Sequence, residues 1–97
     1  MMYILLARLT DAGQQRMLDN PDLLSQVSSE VKVPGTQLLA RYAVLGQYDF
    51  VLMAEANTVE TMARLSLELG ARLGIHIETL PALSAGVLAE QWDESIM

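Results

Sequence analysis

The sequence predicts an α+β domain with the element order β-α-β-β-α-β and a short C-terminal helix. Three observations predict it. Four short runs rich in β-branched and long aliphatic residues are bounded by turn and cap signals. Helical spacing of apolar residues fills the gaps between runs one and two and between runs three and four. Runs two and three follow each other directly, around Gly46-Gln47. Right-handed crossovers then give one four-stranded antiparallel sheet, in the order four-one-three-two, with the helices on one face and the other face open.

The elements follow in order. "YILLARL" (Tyr3 to Leu9) is short, β-compatible and apolar on both faces, and it reads as a central strand. Thr10 and Asp11 stop it, and either can cap the helix that follows. Asn20-Pro21-Asp22 starts a second helical piece: Asn20 caps, and Pro21 takes the first helical position, where its missing N–H costs nothing. Leu23, Leu24, Val27 and Val31 then share a stripe until Pro34-Gly35. Thr36 to Gly46 is the second strand, and "YDFVLMAEA" is the third. Only Gly46 and Gln47 separate them, the length of a tight hairpin, and glycine enters positive φ without steric penalty. Tyr48 resumes the strand, and the Asp49 carboxylate is placed to bond nearby turn amides. Asn57 to Glu60 reads as a capping box for a helix with Val59, Met62, Ala63, Ser66, Leu69 and Leu73 on one side. Glu60, Arg64, Glu68 and Arg72 lie four apart on its other side, and Gly70 or Gly74 closes it. "IHIETLPAL" (Ile75 to Leu83) is the fourth strand, with Pro81 at its end or on a sheet edge. Ser84 caps the tail helix, in which Trp92 serves as a docking anchor.

Composition bounds the function. Ninety-seven residues form one domain, 1–97, and a 52% apolar fraction supplies its core, largely without aromatics, at 5%. The net charge of −6, with six basic residues scattered along the chain, argues against nucleic acid and against anionic membrane surfaces. The absence of cysteine removes disulfides, thiol nucleophiles and thiolate metal sites. No run approaches the roughly 18 apolar residues of a membrane span, and the N-terminus lacks the pattern of a signal peptide. A soluble cytoplasmic protein is the expectation. With a single histidine and no His-x-x-x-His spacing, no metal site is expected, and no cofactor motif occurs.

Any function then falls to the open face. Alternation along the strands assigns Asp49, Val51, Met53 and Glu55 of strand three to it, with His76, Glu78 and Leu80 of strand four. Leu6 and Arg8 join them from strand one, and Leu39, Arg41 and Ala43 are assigned from strand two. Leu6, Val51, Met53 and Leu80 make a patch too apolar for water, which a second copy packed sheet to sheet would cover. Arg8 and Arg41 are then expected to neutralise Glu55 and Glu78, since unpartnered carboxylates are costly to bury.

"YILLARLTDAG", "LGQYDFVLMAEA" and "HIETLPALSAGVLAE" resemble the GYD-domain proteins, whose Gly-x-Tyr-Asp stretch reads here Gly46-Gln47-Tyr48-Asp49. The resemblance spans nearly the whole chain. It implies a ferredoxin-like fold that pairs into a dimeric α/β barrel, and no particular activity. Departures are the Asn20-Pro21 break and the Pro34-Gly35 connection. The order and the Gly-x-x-Asp turn are also similar to the ligand-binding domain of Lrp/AsnC-type regulators, which implies a small-molecule sensor. No DNA-binding domain is expected before it here.

Each singled-out residue has a plain structural role beside a functional one. Gly46, Tyr48 and Asp49 form a hairpin turn, or line a pocket mouth. His76 is a partly exposed strand histidine, or a general base or ligand contact beside Glu78 and Arg8. Glu55 and Glu78 balance arginine charge, or form a carboxylate pair. Met53 is the one methionine placed as a pocket candidate. The ligand-binding candidates are thus Arg8, Arg41, Met53, Glu55, His76 and Glu78, with catalytic residues unassigned. The expected function is a homodimeric small-molecule-binding or regulatory module using the cavity between paired sheets. The alternatives are a cofactor-independent enzyme of the dimeric α/β-barrel type, monooxygenase-like or isomerase-like, and a purely structural assembly unit.

Overall fold

A computed structural model describes residues 1–87. Its elements are β1 (Met2–Leu9), α1 (Asp11–Asp19), α2 (Leu23–Glu30), β2 (Thr36–Ala43), β3 (Phe50–Ala56), α3 (Val59–Leu73) and β4 (Ile75–Ala82). The four strands form one sheet in the order β2-β3-β1-β4, the expected order, and every pairing is antiparallel. The fold is ferredoxin-like α+β, with helices on one face. Ser84 opens a turn after β4, its carbonyl accepting from Val87 N at 3.0 Å. The expected tail helix beyond that turn, with Trp92, lies outside the described residues.

The core sits between the sheet and α3. Tyr3, Leu5 and Ala7 of the central strand β1 and Leu52, Ala54 and Ala56 of β3 point towards Met62, Leu65, Leu69 and Leu73 of α3. All are buried, and the intervening residues of β1 and β3 face the other way, as alternation requires. Val27 of α2, with Val31 and Val33 after it, closes one side of the core.

Several local expectations are corrected. The helical region does break at Asn20, but α2 starts only at Leu23: Asn20 Oδ1 accepts from Asp22 N at 3.2 Å, so Asn20 shapes a turn instead of capping a helix at Pro21. Thr58 caps α3, forming a capping box with Thr61 in place of Asn57 and Glu60. Asn57 is held one residue outside the helix because its backbone N–H donates to Gly35 O at 2.9 Å. Gly74, with φ +73, closes α3, while Gly70 lies inside it.

The β2–β3 connection is longer than a two-residue turn. Val44 N donates to Asp49 O at 2.9 Å, and neither Tyr48 nor Asp49 belongs to β3. Gly46 does take positive φ, +115°. The cause of the longer loop is Asp49, which is tied to β1: its N–H donates to Ala7 O, and its Oδ2 accepts from Leu9 N, both at 2.8 Å. The carboxylate therefore fastens the hairpin to the central strand, not to its own turn. In β2 the register shifts between Leu38 and Ala40. Beyond this bulge the faces exchange: Ala40 opposes Met53 and Tyr42 opposes Val51 on the open side, while Arg41 opposes the buried Leu52. The assignment of Arg41 and Ala43 to the open face is thus reversed.

Candidate functional site

The open face reads as cross-strand rows. At one end Gln37, Glu55, Met2 and Ala82 stand side by side. The next row is Ala40, Met53, Ile4 and Leu80, and the next is Tyr42, Val51, Leu6 and Glu78. Arg8 and His76 face each other at the far end. Residues opposed in this way have neighbouring Cβ atoms and interact directly. The two middle rows are apolar apart from Glu78, and Leu80 and Tyr42 remain 43% and 57% exposed.

The far end holds the polar constellation. The Arg8 guanidinium carbon lies 5.0 Å from the centroid of the Tyr48 ring, within cation–π range. Tyr48 Oη donates to Glu78 Oε2 at 3.0 Å. Tyr48 thus stands between a cation and an anion, stacking on one and bonding the other. Arg8, Tyr48, His76 and Glu78 line a depression of about 130 Å³ with Leu6 and Ile77. Asp49 sets the geometry from below, because its grip on Leu9 N and Ala7 O fixes where the loop carrying Tyr48 crosses β1.

The fold therefore gathers Arg8, His76 and Glu78 and separates the other candidates. Glu55 lies opposite Met2, whereas Glu78 lies opposite Leu6. Four residues along β1 are roughly 13 Å, too far for a carboxylate pair. Glu55 instead borders a depression of about 200 Å³ with Thr36, Gln37 and Asn57. Met53 belongs to the apolar row between these ends, and Arg41 is on the other side of the sheet. In the single chain Arg8 stacks on Tyr48 instead of pairing directly with a carboxylate; among the described residues the ion pair formed is Arg72–Glu68, on α3. Among the described residues no cluster of three or more His, Asp and Glu side chains is placed to hold a metal ion.

Tyr48 is among the turn residues expected to line a pocket mouth, but strand parity does not carry it to the open face, and Tyr42 escapes a reading of the sequence altogether. Parity counted back from Phe50 places Tyr48 on the helix side, and only the long loop brings it to the open face. Tyr42 is hidden by the bulge in the same way. The one signal for Tyr48 is an amphipathic aromatic beside the turn glycine, suited to both a cation and an acceptor.

Known proteins resemble this chain in sequence and in fold. A protein of Thermus thermophilus, "Glutamine synthetase and cystathionine beta-lyase binding protein", is 39% identical over 82 residues, covering 84% of this chain and 86% of that protein. Among solved structures, the leucine response regulatory protein of Mycobacterium tuberculosis aligns with a TM-score of 0.64 at 11% identity, over 87% of this chain. This chain covers 51% of that regulator, and the likeness is one of fold. The family model of the GYD domain matches residues 3–90, so the Gly46-Gln47-Tyr48-Asp49 loop that delivers Tyr48 to the site falls within the match, and the chain belongs to the GYD domain family.

Proposed function

We propose that this chain is a homodimeric binding module with a regulatory role. Two copies pair through their open sheet faces, and the cavity left between them holds a small molecule at the Arg8–Tyr48–His76–Glu78 cluster. The observation that carries the reading is the face itself. Ile4, Leu6, Val51, Met53 and Leu80 form a continuous apolar surface that no element among the described residues covers. A fully buried aliphatic side chain is worth about 1.5–3 kcal/mol, so several of them favour a second, self-complementary copy. The cluster sets a cation, an anion and an imidazole around a depression of about 130 Å³, smaller than a usual ligand pocket, so the proposed site for a small polar ligand is the enlarged cavity a second copy would close over it.

A second reading concerns the partner. The relative from Thermus thermophilus is named for binding glutamine synthetase and cystathionine beta-lyase, and its similarity spans most of both chains. An enzyme of that kind is the protein partner we propose here. The two readings fit together: the ligand sits between the sheets, and the helical surfaces of the dimer meet the enzyme.

Sedimentation equilibrium at low micromolar concentration tests the pairing. The expected result is a dimer that Val51→Asp converts to monomer; a wild-type monomer there removes the cavity along with the dimer. Native mass spectrometry of the purified protein tests the ligand. A co-purifying small molecule is expected in the wild type and lost in His76→Ala, whereas full retention in the variant takes His76 out of the site.

A further inference from the structure

Among the described residues, no element covers the seam beside helix α3. Between the flank of α3 and the edge strand β4 runs a groove of two adjacent depressions that share Ser66 and Leu67. The wider part, about 750 Å³, has Val59 and Ala63 of α3 on one wall, Thr79 and Pro81 of β4 on the other, and the buried Tyr3 and Met62 at its base. The narrower part, about 350 Å³, begins where the first ends, at Ser66 and Leu67, and continues past Gly70 to Ile77. Small side chains keep the α3 wall low, while Val59 and Leu67 stay 67% and 74% exposed beside it. The lining of the wider part is almost wholly apolar, apart from Ser66 and Thr79, whose hydroxyls bond each other at 2.8 Å. It offers an occupant apolar contact and little to hydrogen-bond.

The chain itself supplies a fitting segment. It leaves β4 at Ala82, next to the groove residue Pro81, and Ser84 turns it. Leu88–Met97, "LAEQWDESIM", follows. Leu88, Trp92 and Ile96 recur every fourth residue, with acidic and amide side chains between them. Were the segment helical, this spacing would place the three on one stripe, with the same period as Val59, Ala63 and Leu67 on the wall. Ten residues span roughly 15 Å as a helix and up to about 33 Å extended, against roughly 22 Å for the whole of α3, so the reach is sufficient. We propose that Leu88–Met97 occupies this groove in its own chain, with Trp92 seated in the wider part, and so completes the helical layer over β4. The proposal is independent of any pairing of the open faces.

Trp92 is the chain's sole tryptophan, so its fluorescence reports on this segment alone. In the chain of residues 1–97 the expected result is blue-shifted emission, weak quenching by acrylamide, and no change on dilution from high to low micromolar concentration. Ala63→Arg, which fills the wider part with a long cationic side chain, should red-shift the emission and raise the quenching constant several-fold. Val59→Asp should do the same; an acid in the first turn of a helix is tolerated, so the fold is kept. Arg64→Glu, on the outer face of α3, should leave both readings alone. Emission typical of a water-exposed indole in the wild type, or insensitivity to both groove variants, overturns the proposal. Protection that is lost on dilution also overturns it and assigns the groove to a second copy.

Discussion

The two crossovers of this sheet do the same topological work by different means. The second is the single helix α3, which buries Met62, Leu65, Leu69 and Leu73 along one stripe. The first is split into α1 and α2, whose buried residues are only Gly13 and Val27. What α1 lacks in apolar burial it makes up in backbone contact with the end of α3. Thr10 donates to Gly74 O twice, from its N–H at 2.9 Å and its hydroxyl at 2.8 Å, and the same hydroxyl accepts from Gly13 N. Arg16 Nη1 donates to the carbonyls of Ala71 and Arg72, both at 3.3 Å. These are the carbonyls that a helix C-terminus leaves unpaired, and a cation there also complements the helix dipole. A polar helix can thus be held by completing the end of an apolar one.

That contrast can be broken at either end. The largest effect is expected from Leu69→Ala, which empties a site only 1% exposed in the stripe of α3. A loss of about 2–5 kcal/mol, read by urea unfolding, follows from transfer and cavity terms together. Gly13→Val comes next. A Cβ on Gly13 would stand 1.9 Å from Gly74 O, with backbone on both sides and no flexible side chain to yield. The expected loss is about 1–3 kcal/mol, and hydrogen exchange should quicken in α1 before it does in α3. Equal protection of both helices in that variant would mean that α1 is not held where Gly13 meets Gly74. The smallest effect belongs to Arg72→Gln. Its ion pair with Glu68 is exposed and i,i+4, so thermal melting should register no more than about 0.5 kcal/mol.

The same contrast explains what can be read in the sequence. The stripe of α3, the alternation in β1, β3 and β4, and the strand order are local periodicities, and all are legible without coordinates. So are Arg8, His76 and Glu78 as members of one face. The contact of Gly13 with Gly74 joins positions far apart in the chain, and no spacing announces it. The grip of Asp49 on Leu9 is likewise long-range, and it lengthens a loop that composition alone suggests is tight. Parity misplaces Arg41 because one inserted residue in β2 reverses every face beyond it. It also groups Glu55 with Glu78, because parity fixes a side chain's face but not its position along the strand.

The bulge has a second consequence, at the border of the sheet. β2 and β4 are its two outer strands, and an outer strand is a template on which a foreign strand can grow. Along β2 the shift between Leu38 and Ala40 breaks the regular spacing of outward amides and carbonyls. On β4, Pro81 removes an amide hydrogen near the strand's end. The bulge interrupts one border and the proline shortens the usable part of the other, so strand addition has fewer regular partners on β2 than along Ile75 to Leu80 of β4.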